Sequence, residues 1–333
     1  MKRKLVTGSE KILIAIIILY CIVVAVANPM FLSFETLFDI IRSSSCSMVV
    51  AMGLLVIMLS GGIDVSFMAS ALFGSYVSAF VMIKTGINSL AFAFVFSMSM
   101  GLILGLINAL LVHWLRLPAF IITLGTQNLF HGVMTTFISD KTYGAGVMPP
   151  CLSKFGSSTL FKVQTDAGVM GLTTSVIPVV IVVFLTWFII NRTMIGRGVL
   201  ALGNSEESAI RAGFNPLKIR LFAYGYMGLL AGVMGVMYIS QVNAVYPNKL
   251  VGDELMVIAA AVIGGTKATG GQGKILGVLL GTAVIYLLNT TLIFLGLSSS
   301  WNNLFVGSLL VLSVAVTSYQ TRIRNRRNLI FTE

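Results

Sequence analysis

NRTMIGRGVLALGNSEESAIRAGFNPLKIR, residues 191–220, is a polar, basic island between two long apolar runs. Asn204 stands three residues before Glu207, the spacing of a capping box. The helix predicted from there covers about 205–212 and stops at Gly213, with Pro216 beyond. So short a helix does not hold in water by itself. It needs a surface on each side: the chain's own apolar body, and something in the cytosol. The competing reading is a plain solvated loop.

Outward from the island the chain turns apolar. Of its 333 residues, 57% are hydrophobic and 10% charged, and mean hydropathy is +0.97. A soluble domain carries roughly 25% charged residues, so there is too little polar surface here to cover a water-soluble core. Apolar runs of about 20 residues recur along the chain. They predict an all-α polytopic membrane protein. A transmembrane barrel would show alternation in segments of about ten residues, which is absent from the sequence.

The pattern gives ten crossing segments, at 12–28, 43–60, 66–83, 90–112, 118–138, 172–191, 220–241, 250–264, 274–295 and 301–320. The eighth is short and reads as a broken or tilted helix. The whole chain, 1–333, reads as a single transmembrane domain. Its inner loop is at 192–219 and its longest outer loop at 139–171. The apolar run from Ile12 imitates a signal peptide. AVANPMF is the nearest approach to a cleavage site, and the segment is read as a retained first span.

With the N-terminus inside, six of the 22 Lys and Arg face outward: Arg42, Lys84, Lys141, Lys154, Lys162 and Lys249. The other sixteen face inward, as the positive-inside rule requires. That bias accounts for the net charge of +11 without a nucleic-acid partner. Cys21, Cys46 and Cys151 are far apart and form neither a metal spacing nor a disulfide framework.

Thirty-three glycines imply close helix packing. Gly101 with Gly105, Gly228 with Gly232, and Gly273 with Gly277 and Gly281 each lie on one helix face, where backbones can approach. VIMLSGGIDVS (56–66) and AAVIGGTKATGG (260–271) echo one another. Each ends an inward segment in a Gly-Gly pair, Gly61-Gly62 and Gly264-Gly265, and a polar turn. In the second the turn holds a further pair, Gly270-Gly271. A duplicated half of the transporter kind would leave this trace.

Few residues carry chemistry. Asp64 can cap a helix starting near Val65, as can Ser66, or it can mark an ion or proton site. The cap is favoured, because no second buried carboxylate, Lys or His lies close in sequence. Asp253 and Glu254 sit at the positive end of a short helix and read as structural first. His113 stands beside Trp114 and Arg116, which are interfacial anchors; His131 reads as a packing histidine. Asn108, Gln127, Asn128 and Asn289 are polar positions within spans and candidate lining for a pathway. GTKATGGQGKIL (265–276) fails the P-loop pattern, since Ala268 replaces its first Gly and Ile275 its Ser or Thr. No catalytic cluster is present, so the chain reads as non-enzymatic.

Four stretches together resemble the permease subunits of bacterial ABC importers of the ribose type, which include monosaccharide and autoinducer-2 permeases. They are LSGGIDVS (59–66), LPAFIITLGT (117–126), the 191–220 island, and ELMVIAAAVIGGTKATGGQGKILGVLLGT (254–282), in the family's order. The chain departs from the family at Phe67-Met68-Ala69 and in LGNSEESA. The resemblance implies a multi-pass protein of the inner membrane with both termini in the cytosol. It implies a second permease, identical or paralogous, two cytoplasmic ATPase subunits and an extracytoplasmic solute-binding protein. ATP and Mg would sit on the ATPase, with no cofactor on this chain. It also makes 204–213 the coupling helix. Asn204 would cap it and Ser205 begin it; Ala209, Ala212 and Gly213 would permit close approach, and Glu206, Glu207 and Arg211 would pair with the ATPase. The expected cargo is a small neutral solute, a monosaccharide. The alternative is an ion-coupled secondary transporter, for which Asp64 is the one candidate coupling residue.

Overall fold

The computed structural model describes residues 8–165, 168–298, 300–302, 304–308, 311 and 315. Twelve α-helices appear among them: α1 (Gly8–Ala27), α2 (Phe34–Leu59), α3 (Phe67–Thr85), α4 (Leu90–Leu115), α5 (Ala119–Val133), α6 (Pro150–Ser157), α7 (Val176–Arg192), α8 (Met194–Asn204), α9 (Glu206–Arg211), α10 (Pro216–Val242), α11 (Glu254–Ile263) and α12 (Ile275–Thr291). Local chemistry sets their ends. Ser33, Ser89 and Asn215 each accept a hydrogen bond from the backbone N–H three residues on, and Pro216 follows Asn215 at the first helical position.

By length and apolarity six helices can cross a membrane, or seven if the bent α7–α8 pair is one span. The bend is 74°, at Thr193. The predicted segment 118–138 is α5 continued by a π-helical turn, Met134–Ile138, and the eighth is only α11. The predicted 301–320 lies largely outside the described residues, as do Lys2, Arg3, Lys4 and the C-terminal basic tail. The count of ten therefore stands as a proposal, and the polytopic helical architecture as a finding.

The described chain is mostly helical, as expected of an all-α polytopic protein, and the predicted outer loop folds into α6 and a β-hairpin. Strands β1 (Thr159–Thr165) and β2 (Gly168–Thr173) pair antiparallel. Thr and Val recur there, residues that favour strands, and the sixth apolar segment accordingly begins at Val176 rather than 172.

α2 and α10 are the most enclosed of the long helices. α10 packs on α4, α2 and α3, and the α4 contact is the closest. A Cβ at Gly101 would strike the Gly228 carbonyl, one at Gly228 the Gly101 carbonyl, and one at Gly105 the Tyr224 carbonyl. The paired glycine faces thus meet one another backbone to backbone, and the gain is van der Waals contact. Gly277 and Gly281 do the same for α12 against Gly264 and Ala260 of α11. In contrast α1, α5 and α7 expose Ile, Leu, Val and Phe broadly, as lipid-facing helices do.

Two contacts fix the relative directions of α1 and α12. Glu10 pairs with Lys274 at 3.4 Å at their starts, and Tyr20 hydrogen-bonds Thr291 at 2.9 Å near their ends. They run parallel, as the predicted alternation requires. At the opposite end Asn88 accepts from the Cys151 N–H at 2.8 Å and Tyr143 pairs with Val245, so the predicted outer connections cluster together.

Candidate functional site

The island folds as two helices rather than one. α8 carries the chain from the 74° bend to Asn204, where it ends; the Asn204 side chain donates back to the Leu200 carbonyl at 2.7 Å. Ser205 is the actual N-cap of α9, accepting from the Ser208 N–H at 3.2 Å. The predicted capping box with Asn204 and Glu207 is therefore shifted by one residue and lacks its reciprocal acidic partner. A tighter constraint placed Asn204 elsewhere: its side chain lies against Gly271. The stop is as expected. Gly213 has φ +84°, its N–H bonds Ile210 O, and Phe214 N–H returns to Ala209 O.

α9 divides its residues between two surfaces. Ala209 is buried in the chain itself, at 1% exposure. Glu206, about half exposed, pairs with Arg220 at 2.7 Å, and Arg220 also donates to His113 Nδ1 at 3.0 Å. Ala209 is therefore not left to meet a partner, contrary to the sequence expectation, whereas Glu206 stays exposed beside its pair with Arg220. Glu207, Ser208, Ile210, Arg211, Ala212 and Gly213 face outward. Glu207 and Arg211 pair with each other at 3.7 Å while more than four-fifths exposed. A cleft of about 570 Å³ opens beside this face, between the 60–62 turn, the His113–Ala119 connection and α9.

The two Gly-Gly turns meet at the α8–α9 junction. Gly271 N–H donates to the Leu59 carbonyl at 3.1 Å. Gly203 is wedged between them: a Cβ there would strike Leu59 O, with Gly271 N next nearest. Gly270, at φ +96°, touches Gly203 and Gly61, which has φ +90°. Three of the motifs quoted for the resemblance thus form one backbone knot. The two turns also share their hydrogen bonding: Gly61 N–H to Met58 O and Gly62 N–H to Ile57 O match Gly265 N–H to Val262 O and Thr266 N–H to Ala261 O. Gly264 thereby takes the place of Ser60, one residue off the Gly-Gly alignment of the sequences. Sequence reading missed the role of Gly203, whose signal was a lone glycine near the end of a helical run.

Asp64 is buried between α2 and α3 at 2% exposure. Its Oδ1 accepts from both the N–H and the hydroxyl of Ser66, each at 2.7 Å. Ser66 is the N-cap residue of α3 and makes no side-chain cap bond; Asp64 bonds Ser66 itself rather than the free N–H groups of the first turn, so it orders the entry to α3 instead of capping it. Asn108, fully buried, donates to Ser66 Oγ at 2.6 Å. Burial raises the Asp64 carboxyl to about 6, against the hydrogen bonds from Ser66. Asp64→Asn preserves the acceptor and should leave the protein's melting temperature within a few degrees. Asp64→Leu strands two buried donors, at about 1–3 kcal/mol each, and a thermal melt in detergent should show a clear drop.

The four candidate pathway residues do not converge. Asn108 belongs to the Asp64 cluster. Asn128 and Asn289 are exposed, and Asn128 donates to its own helix at Leu124 O, 3.1 Å. Gln127 is buried and donates to Glu254 Oε1 at 2.9 Å. His131 is a packing histidine, with Nε2 2.9 Å from Pro247 O. A polar seam not foreseen from sequence joins α2, α7 and α10 at the end where α10 finishes: Gln241 donates to Ser45 and Ser175, both at 2.9 Å, and Arg42 donates to the Gln241 carbonyl at 3.2 Å. The SSSCS run at 43–47 was its only sequence signal.

Comparison with known proteins agrees with this layout. The family model described as "Branched-chain amino acid transport system / permease component" matches residues 36–314. The ribose import permease protein RbsC of Escherichia coli (strain K12) is 31% identical over 311 residues, covering 92% of this chain and 93% of that one. The autoinducer 2 import system permease protein LsrC of Escherichia coli O9:H4 (strain HS) is 30% identical over 317 residues, covering 95% and 88%. The Haemophilus influenzae RbsC is 31% identical over 309 residues, covering 92% of each chain. No solved structure matches. The family match and these relatives span the knot, the half-length α11 and the glycine-paired helices together: the chain belongs to the permease-component family of branched-chain amino acid transport systems.

Proposed function

We propose that this chain is the membrane-spanning subunit of an ATP-driven importer for a small neutral solute, a monosaccharide. An extracytoplasmic binding protein delivers the solute, a second permease completes the pathway, and ATP and Mg act on a separate cytoplasmic ATPase. The observation that carries the reading is the knot. It ties the exposed face of α9 rigidly to α2, α11 and α12, so a push on α9 reaches three membrane helices at once. The monosaccharide is supported by the relatives, two of which are named for ribose import, and by spans rich in Ser, Thr, Asn and Gln but poor in charge.

The chain crosses the inner membrane ten times in this reading, with both termini in the cytosol and 139–171 outside. The matched turns at 57–62 and 261–266 support an internal duplication. Single cysteines at Ser157 and Ser208, in a chain otherwise free of cysteine, should label from opposite faces of sealed membranes. Labelling of both from outside would refute the topology. The driving force separates this reading from an ion-coupled carrier. Sugar uptake by the assembled complex should persist when ion gradients are collapsed and stop when ATP is withheld. The reverse pattern would assign the chain to secondary transport.

A further inference from the structure

α11 is half a span. Its 10 residues rise about 15 Å, against a hydrocarbon core of about 30 Å. Its C-terminal end is fixed at the Gly264-Gly265 turn on the inner face, so Glu254 at its start lies near mid-depth. Gln127 reaches the same level, eight residues or about 12 Å beyond the inner end of α5. Between Pro247 and Glu254 the backbone is irregular, with Leu250 and Gly252 at φ 74° and 110°. Irregular backbone at membrane depth survives only inside protein or along a water-filled path. Broken spans of this kind are where transporters hold their solutes.

The polar groups at this break are incompletely used. Glu254, 8% exposed, accepts from Gln127 Nε2 at 2.9 Å and from the Gly252 N–H at 2.7 Å. A carboxylate offers about four acceptor positions, and two are filled. Gln127 is 4% exposed, and its Oε1 has no partner among the described residues. This orphaned oxygen lies one amide group from the Glu254 carboxylate. α5 otherwise packs on α3 and α4, and α11 on α12 and α2. The Gln127–Glu254 bond and the His131–Pro247 bond one turn further on therefore join α5 to the segment that leads into α11, two helices that otherwise pack on different neighbours.

We propose that Gln127 and Glu254 form the binding site for the hydroxyls of a neutral polyhydroxylated solute, shown here in its closed state. This rests on the importer reading above. When α5 and α11 part, the carboxylate and the orphaned amide oxygen both face the opening as acceptors, and the Gln127 amide remains a donor. Adjacent sugar hydroxyls supply what this set lacks. The loop that follows α11 is held at the knot through Gly270 and Gly271, which links the parting of α5 and α11 to movement of α9.

The test uses the complete transporter with its ATPase and binding protein in proteoliposomes. Gln127→Cys is made in a chain whose Cys21, Cys46 and Cys151 are replaced by Ser. A small water-soluble methanethiosulfonate reagent is applied at rest and during ATP turnover. Labelling at position 127 should be at least tenfold faster in turnover. D-ribose, D-xylose or D-glucose at saturation should slow it several-fold, while NaCl exchanged for choline chloride should not. No labelling in either state overturns the site. Protection by Na⁺ but by none of the sugars overturns the hydroxyl assignment in favour of a cation. In parallel, Glu254→Gln and Gln127→Leu should each lower the maximal rate of sugar uptake at least tenfold, with half-saturation unchanged and ATPase co-purification retained. Wild-type uptake in both variants overturns the proposal. If uptake proves independent of ATP, the importer reading fails, while the labelling still reports on whether position 127 faces a solute path.

Discussion

Gly203→Leu should abolish transport, with the largest loss of any single substitution at the inner face. A side chain there meets the Leu59 carbonyl and the Gly271 amide, both backbone. Backbone atoms cannot swing aside as a side chain does. Relief requires α8 to lift off the turn that closes α2, which also breaks the Gly271–Leu59 hydrogen bond. Overpacking a core typically costs about 1–3 kcal/mol, and here the cost falls on the joint between α9 and the membrane helices. Uptake should fall more than tenfold and the melting temperature by several degrees. Gly213→Ala is the contrasting change. Nothing lies within 4 Å of its added carbon, and only the φ of +84° is unfavourable, at about 1 kcal/mol. It should keep most activity.

The second large effect is expected on the outward face of α9. Ala212→Trp or Ile210→Asp should release the ATPase during purification and remove solute-stimulated hydrolysis, while the melting temperature of the permease stays unchanged. Ile210 is an exposed apolar side chain on a polar loop, which suits burial against a partner. Ala209→Trp should behave oppositely, because Ala209 is buried within the chain: its variant should lose stability first. Glu207→Lys should give a smaller, salt-sensitive defect. Exposed ion pairs are worth about 0–1 kcal/mol, and the Glu207–Arg211 pair is highly exposed.

The sequence made the membrane class legible because apolar runs of span length leave few other folds open. The glycine faces were legible for the same kind of reason: their four-residue spacing selects one side of a helix, and Gly101 and Gly228 do meet. The short helix at 206–211 was found, but its cap was assigned one residue early. Asn204 and Ser205 are both good caps, and the Asn204 side chain is instead bonded back to the Leu200 carbonyl, which leaves the cap to Ser205. How Glu206 of α9 is tied to its own chain depends on Arg220 and His113, residues 14 and 107 positions apart from their partners, and no local pattern records such pairing. The knot was invisible for the same reason. Its glycines were each noted or passed over separately, and only the folded chain shows Gly61, Gly203 and Gly270 in mutual contact. The Gln127–Glu254 contact spans 127 positions; Gln127 reads from sequence as candidate pathway lining and Glu254 as structural, and no local pattern joins the two.

The account turns on α9 being the point where the motor engages, and a photo-crosslinking amino acid at Arg211 tests this most directly. Arg211 is exposed and makes no contact beyond its pair with Glu207 among the ion pairs of the described residues. In membranes containing the full transporter, irradiation should yield an adduct with the ATPase subunit, in high yield at position 211 and absent at Ser157 on the opposite face. An ATPase that co-purifies with the permease yet gives no adduct from position 211, 207 or 210 would contradict the account and leave α9 an unpartnered surface helix.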